Sequence, residues 1–244
     1  MILHIPHASQ VIPDKSIFLC SQGRLDFEMH LLTDHYTDQL FFHEEAVVIQ
    51  APCSRIFCDM ERFEDDALEP NSRLGMGVLY THADNGELIR LISPEMRESI
   101  LENFYRPHHR NLSNAVNSEL LHYGSAKIID CHSFPHHPLC RDSDTRENRP
   151  EFNIGTDGFH TPKEWIDCSV AFFEDRGYSL GVDWPYKGSI VPIHCYRRDS
   201  RVSSIMLEVN RSLYMNETNG EKRENFDIIR QVVHDFIREI HSIK

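Results

Sequence analysis

The chain has no apolar run approaching the ~20 residues that a membrane-crossing helix requires, so no span is expected. Positive charge is scarce. Against 38 Asp and Glu stand 25 Lys and Arg, a formal net charge of −13. Nucleic acids and anionic membrane surfaces both select a basic face, and neither is expected as a partner. A small anionic substrate held by a few buried arginines remains compatible with this balance. The 7 cysteines are scattered, odd in number and form no C-x-x-C pair. That is the usage of reduced thiols in a cytoplasmic protein rather than of a disulfide framework. The N-terminus lacks the basic region and long apolar core of a secretory signal, because Pro6 and His7 interrupt it. There is no G-x-S-x-G elbow, and Ser133 beside His132 is poorly placed for a serine-hydrolase triad. Compact metal signatures such as H-E-x-x-H, internal repeats and low-complexity linkers are also missing.

What is present is an alternation of short apolar runs and amphipathic stretches. Runs at 2–5, 46–50, 56–58, 127–129, 151–156, 178–184 and 202–209 read as strands bounded by turn formers. Apolar residues at three- and four-residue steps over 25–42 predict one helix, with Asp34 and Asp38 a turn apart on one face. A second helix is predicted over 93–123. It has Ser93 as N-cap, Pro94 at the first helical position, a kink or break at Pro107 and Gly124 as its stop. Residues 161–177 and 226–243 predict two more, the former opened by a capping Thr161. Strands alternating with helices in 244 residues imply one domain over 1–244, an α/β fold of three layers (α/β/α). The acidic, irregular stretch 63–84 and the polar loop 136–150 are candidates for pocket walls.

Chemistry concentrates at strand ends. The run Lys127-Ile128-Ile129 leads into Asp130-Cys131-His132-Ser133, and ligands gather at the carboxyl ends of strands in open α/β sheets. His132 fits a metal ligand, a general base or a polar strand cap, and Asp130, two residues back, shares its face and could orient it. His7 after the first strand and Asp34 on its helix are ordinary surface residues unless tertiary structure gathers them. Glu208 interrupts the apolar run Ile205-Met206-Leu207 and Val209. A buried carboxylate needs a partner, so Glu208 either pairs with an arginine such as Arg211 or is a base of tuned pKa. Arg55, Arg62 and Arg211 each follow a short apolar run and suit a carboxylate clamp or pairing within the acidic chain.

Taken in order, these segments resemble the N-formylglutamate amidohydrolase family, zinc hydrolases akin to metallocarboxypeptidases. The matching pieces are Pro6-His7-Ala8-Ser9 with Ile12-Pro13, and Thr33-Asp34 with Thr37-Asp38. The run from Ser54 to Arg62 follows, then Asp130-Cys131-His132-Ser133, Asn153-Ile154-Gly155-Thr156 and Trp184-Pro185-Tyr186-Lys187-Gly188. Leu207-Glu208-Val209-Asn210-Arg211 with Leu213-Tyr214-Met215 completes the set. The resemblance implies a mixed, largely parallel central sheet and one zinc ion held by His7, Asp34 and His132, with a position left for water. It implies Glu208 as general base, Arg55 beside the developing oxyanion, and Arg55, Arg62, Asn210 and Arg211 as holders of an anionic substrate. The expected reaction is hydrolysis of an N-formyl-L-glutamate-like N-acyl amino acid by a cytoplasmic monomer or small homo-oligomer. The alternatives are a metallocarboxypeptidase, another N-acyl amino acid deacylase, or a relative that binds a small molecule without turnover. Two positions depart from the pattern. Glu61 stands where Asp-Leu-Asn-Arg would place an amide, and Pro-His-Ala-Ser replaces Pro-His-Ser-Gly.

Overall fold

The computed structural model describes residues 1–142 and 144–243; Ser143, inside the loop expected over 136–150, and Lys244 lie outside the described residues. In chain order the elements begin with β1 (Ile2–Ile5), α1 (Gln22–Leu32), α2 (Thr37–Leu40), β2 (Val47–Gln50) and α3 (Pro94–Ile100). They continue with α4 (Arg106–Tyr123), β3 (Ala126–Phe134), β4 (Phe152–Gly155), α5 (Lys163–Asp175), β5 (Leu180–Val182), β6 (Val202–Asn210) and α6 (Phe226–Ser242). The sheet order is β2-β1-β3-β6-β4-β5. All neighbours run parallel except β4 and β6, which pair antiparallel. A mixed, largely parallel six-stranded sheet between helical layers is therefore the fold.

The two faces of the central strands differ, and the difference creates the site. Side chains alternate across a strand. On one face Leu3, Ile5, Ile129, Cys131, Ile205, Leu207 and Val209 stay apolar along the whole strand and pack with α5 and α6. There α6 buries Ile229, Val233, Phe236, Ile237 and Ile240, a stripe at helical spacing. On the other face the strands change character along their length. Ile2, Ala126, Ile128 and Val202 cover Leu112 and Val116 of α4. Beyond them the same face carries His4, Asp130, His132, Glu208 and Asn210, all buried. The apolar half fixes the sheet on α4; the polar half continues past the helix contact.

Several sequence expectations are corrected. The single helix over 25–42 is two: α1 ends at Thr33, Tyr36 takes a left-handed φ of 65°, and α2 restarts at Thr37. Tertiary bonds override the periodicity, because the Asp34 N–H donates to His7 O at 3.0 Å and the Tyr36 hydroxyl to Gly220 O at 2.7 Å. Asp34 thus leaves the helix face it was expected to share with Asp38. Residues 56–58 form turns rather than a strand. The N–H groups of Phe57 and Cys58 bond back to Ser54 O, while the buried Arg90 donates to the carbonyls of Ile56, Phe57 and Tyr80. The central strand does not stop at Asp130 but runs to Phe134. At Pro107 the helix is not broken: a π-helical turn, Leu101–Tyr105, joins α3 to α4 just before it. Such a turn re-routes the hydrogen bonds that proline cannot make. Thr161 does not cap α5; its hydroxyl donates to Ser204 O, and Pro162 occupies the N-cap.

Candidate metal centre and catalytic site

Three sequence-distant side chains converge at the C-terminal ends of β1 and β3. His7 lies two residues beyond β1, and the Asp34 backbone bond to His7 O holds the α1–α2 turn against it. His132 projects from β3. Asp34 Oδ2 lies 3.6 Å from His7 Nδ1 and 3.0 Å from His132 Nδ1. All three residues are buried, and their ligand atoms lie within 4.8 Å of one another. His7 Nδ1 makes no hydrogen bond although it is buried. An orphaned imidazole nitrogen facing a carboxylate and a second imidazole is a donor set that fits a divalent metal.

The outer nitrogens support this fit. His7 Nε2 pairs with Asp59 Oδ1 at 2.8 Å, and His132 Nε2 with Asp130 Oδ1 at 3.2 Å. A carboxylate on the far nitrogen fixes a metal-ligating histidine's tautomer and orientation. Asp34 is braced too, since Arg211 Nη2 donates to its Oδ1 at 2.9 Å. Burial pushes the Asp34 carboxyl up, but the hydrogen bond from His132, the nearby His7 imidazole and the Arg211 guanidinium prevail and hold it well below the ordinary range. Burial likewise opposes charge on His132, yet Glu61, Asp130 and Asp34 hold its imidazole well above the usual histidine range. Surroundings that favour a proton there also favour a cation.

Glu208 is the direct neighbour of His132, its register partner on parallel β6. Its Oε2 is buried without a hydrogen bond. Burial raises its pKa to about 8; the charge on His132 opposes the shift, and Asp34 and Glu61 add to it. This is an environment suited to a carboxylate that exchanges protons near neutral pH.

The arginines divide into two groups. Arg55 Nε and Nη2 donate to Asp59 Oδ2 at 3.2 and 3.0 Å, and its Nε also reaches the Tyr80 hydroxyl. Arg62 Nε lies 3.6 Å from the same oxygen. Asp59 therefore holds His7 with one oxygen and two arginines with the other. Arg211 is committed to Asp34, Ser133 Oγ and Leu31 O. The Asn210 amide donates to Pro150 O, and its Oδ1 accepts from Ser212. Both spend polar groups on the protein, Arg211 on the carboxylate of the cluster and Asn210 on the turn after β6.

Sequence reasoning missed several contributors. His4 Nδ1 pairs with Asp130 Oδ1 at 2.8 Å, and His4 Nε2 meets His108 Nε2 at 2.9 Å. Burial and the neighbouring His4 push His108 down to about 2, so it is neutral. The alternation of β1 could have placed His4 on the Asp130 face, but nothing local points to His108. Tyr80 and Arg90 give no sequence signal either.

With the geometry in hand, the comparison that decides the family is direct: the N-formylglutamate amidohydrolase family model matches residues 1–215. The chain belongs to that family. The N-formylglutamate deformylase of Pseudomonas putida is 27% identical over 199 residues, covering 76% of this chain and 72% of that protein. The N-formylglutamate deformylase of Pseudomonas aeruginosa is 28% identical over 229 residues, covering 89% and 82%. Among solved structures, an N-formylglutamate amidohydrolase from Ralstonia eutropha superposes with a TM-score of 0.86 at 21% identity, covering 98% of this chain and 91% of that one. A gene product of Agrobacterium tumefaciens gives 0.67 at 16% identity, covering 99% and 91%. Both share the fold.

Proposed function

We propose that this protein is a zinc-dependent amidohydrolase that cleaves the amide of an N-acyl amino acid resembling N-formyl-L-glutamate, releasing formate and the amino acid. The observation that carries the reading is the buried His7–Asp34–His132 cluster, each histidine backed by a carboxylate, with Glu208 beside it on the next strand. The names of the two Pseudomonas relatives point to the same reaction. His7 Nδ1, His132 Nδ1 and one oxygen of Asp34 would hold the ion. Two imidazoles and a carboxylate suit zinc, which when bound supplies Lewis acidity toward a carbonyl and makes water a better acid.

The chain's own groups supply the rest. Glu208 accepts a proton from the water that adds to the amide carbon and passes it to the departing nitrogen as the C–N bond breaks. The carboxylic acid and the free amine are the immediate products, the second water proton staying on the acid until it ionises in solvent, and Glu208 ends ionised as it began. Arg55 and Arg62, fixed by Asp59 with guanidinium edges still available, hold the substrate carboxylates; Arg55 also faces charge that develops on the carbonyl oxygen. Arg211 is assigned to Asp34, which it orients, and Asn210 to the turn after β6. Free cysteines throughout, and no helix among the described residues long and apolar enough to cross a membrane, accord with work in the cytoplasm on a small substrate.

The test is metal content and turnover together. Purified wild type is expected to carry one zinc per chain and to release formate from N-formylglutamate faster than from N-acetylglutamate or a dipeptide. His132→Ala should lose both the metal and the activity. Folded wild type that takes up no metal when zinc is supplied would exclude this mechanism.

A further inference from the structure

The residue that departs from the family pattern points into the metal centre. Glu61 follows Asp59 by two residues, and its backbone N–H is anchored on Asp59 Oδ1 at 3.0 Å. Its carboxylate turns inward. Oε2 lies 3.1 Å from His132 Nε2, and Oε1 lies 3.8 Å from His4 Nδ1. Asp130 Oδ1 approaches the same His132 nitrogen at 3.2 Å. Asp130 is already engaged by other donors: His4 Nδ1 on Oδ1 at 2.8 Å and the Ile190 N–H on Oδ2 at 2.9 Å. His4 is in turn pinned from behind by His108. This chain of contacts leaves Asp130 fixed and shared, whereas the Glu61 carboxylate faces the ring nitrogens of the two imidazoles, His132 Nε2 at 3.1 Å and His4 Nδ1 at 3.8 Å.

We propose that Glu61 is a positioning residue for the ligand His132 rather than a contact for substrate, placing a second carboxylate behind that ligand next to Asp130. An anion at the outer nitrogen strengthens an imidazole as a metal donor. The inward turn also explains how an acidic residue is tolerated in a pocket for an anionic substrate, because its carboxylate faces the nitrogens of His4 and His132 instead of the substrate. The inference rests on the reading of His7, Asp34 and His132 as a metal centre.

The test uses the full chain, stripped with a chelator and titrated with zinc against a chromogenic competitor, for wild type, Glu61→Gln and Glu61→Asp. Glu61→Gln is expected to weaken zinc binding about 10- to 100-fold. Glu61→Asp, which keeps the charge on a shorter arm, should recover part of that loss. The melting temperature of the stripped protein should move little in either variant, and the KM for N-formylglutamate should stay within about twofold once zinc saturates. Unchanged zinc affinity in Glu61→Gln, accompanied by a several-fold fall in KM, would overturn the proposal and make Glu61 a substrate-facing charge. Two zinc ions in wild type and one in Glu61→Gln would overturn it in favour of a second cation site at His4, Glu61 and Asp130. Wild type that binds no zinc would overturn the reading of the whole centre, an outcome distinct from equal binding by wild type and variant.

Discussion

At the scale of single residues, the most consequential group is a glutamate with no hydrogen bond on one of its oxygens. Glu208→Gln keeps the shape of the side chain and removes its proton chemistry. Turnover should fall by about 10²- to 10⁴-fold while bound zinc stays near one per chain, read by single-turnover formate release and metal analysis. The same substitution has a stability signature in metal-free protein. Between the ordinary value of 4.5 and the raised value of about 8, the unfolded chain ionises this group and the folded one does not. Wild type therefore loses stability as pH rises through that window, on the order of 1.4 kcal/mol per pH unit. Urea unfolding of the stripped proteins should give wild type and Glu208→Gln similar stabilities at pH 5, and a variant more stable by a few kcal/mol at pH 8.5. Equal stabilities at both pH values would mean that Glu208 is not buried as described.

At the scale of elements, two stretches without regular structure are locked to each other rather than mobile by default. Asp84, at the end of the irregular acidic stretch 63–84, accepts the N–H groups of Cys140 and Arg141 at 2.9 and 3.0 Å. Arg141 Nε returns a bond to Asp84 O at 3.0 Å. Removing that carboxylate releases two part-buried backbone donors, a loss on the order of 0.5–1.5 kcal/mol per hydrogen bond. Asp84→Ala should raise amide hydrogen exchange at Cys140 and Arg141 selectively and weaken substrate binding more than turnover. Elements also mark how much was legible in sequence. The central strands and α6 were, because an apolar run and a 3.6-residue stripe are local signals. So was the grouping of His7, Asp34 and His132, through ordered short motifs. The break at Asp34 was not, since its cause is a backbone bond to His7 and an ion pair with Arg211, far along the chain. Residues 56–58 failed for the same reason: the carbonyls of Ile56 and Phe57 are claimed by Arg90, which sits in a loop. The contact of Arg211 with Asp34 is likewise a matter of what folding places nearby.

At the scale of the whole molecule, the proposed metal centre, a buried cluster of carboxylates and imidazoles, would make metal binding part of stability. Ions that bind only the folded state stabilise it by mass action, about 2.7 kcal/mol at a free concentration 100 times the Kd. For a chain of this size that corresponds to roughly 5–10 °C in melting temperature. Chelation should lower the melting point by about this amount and zinc should restore it. The shift should shrink in acid, because protons compete for His132, whose neighbours favour its charged form. A melting point indifferent to chelator and zinc would contradict the donor set.

The order in which the ribosome delivers the parts adds a final consequence. The ligands are complete once His132 has been made, yet β3 is flanked on one side by β6, and Asp34 is braced by Arg211 at that strand's end. A nascent chain released early would carry every ligand and still lack the frame that aims them. Under the proposed reading, metal capture is a late event in biosynthesis, and a loaded ion certifies that the centre of the sheet has closed.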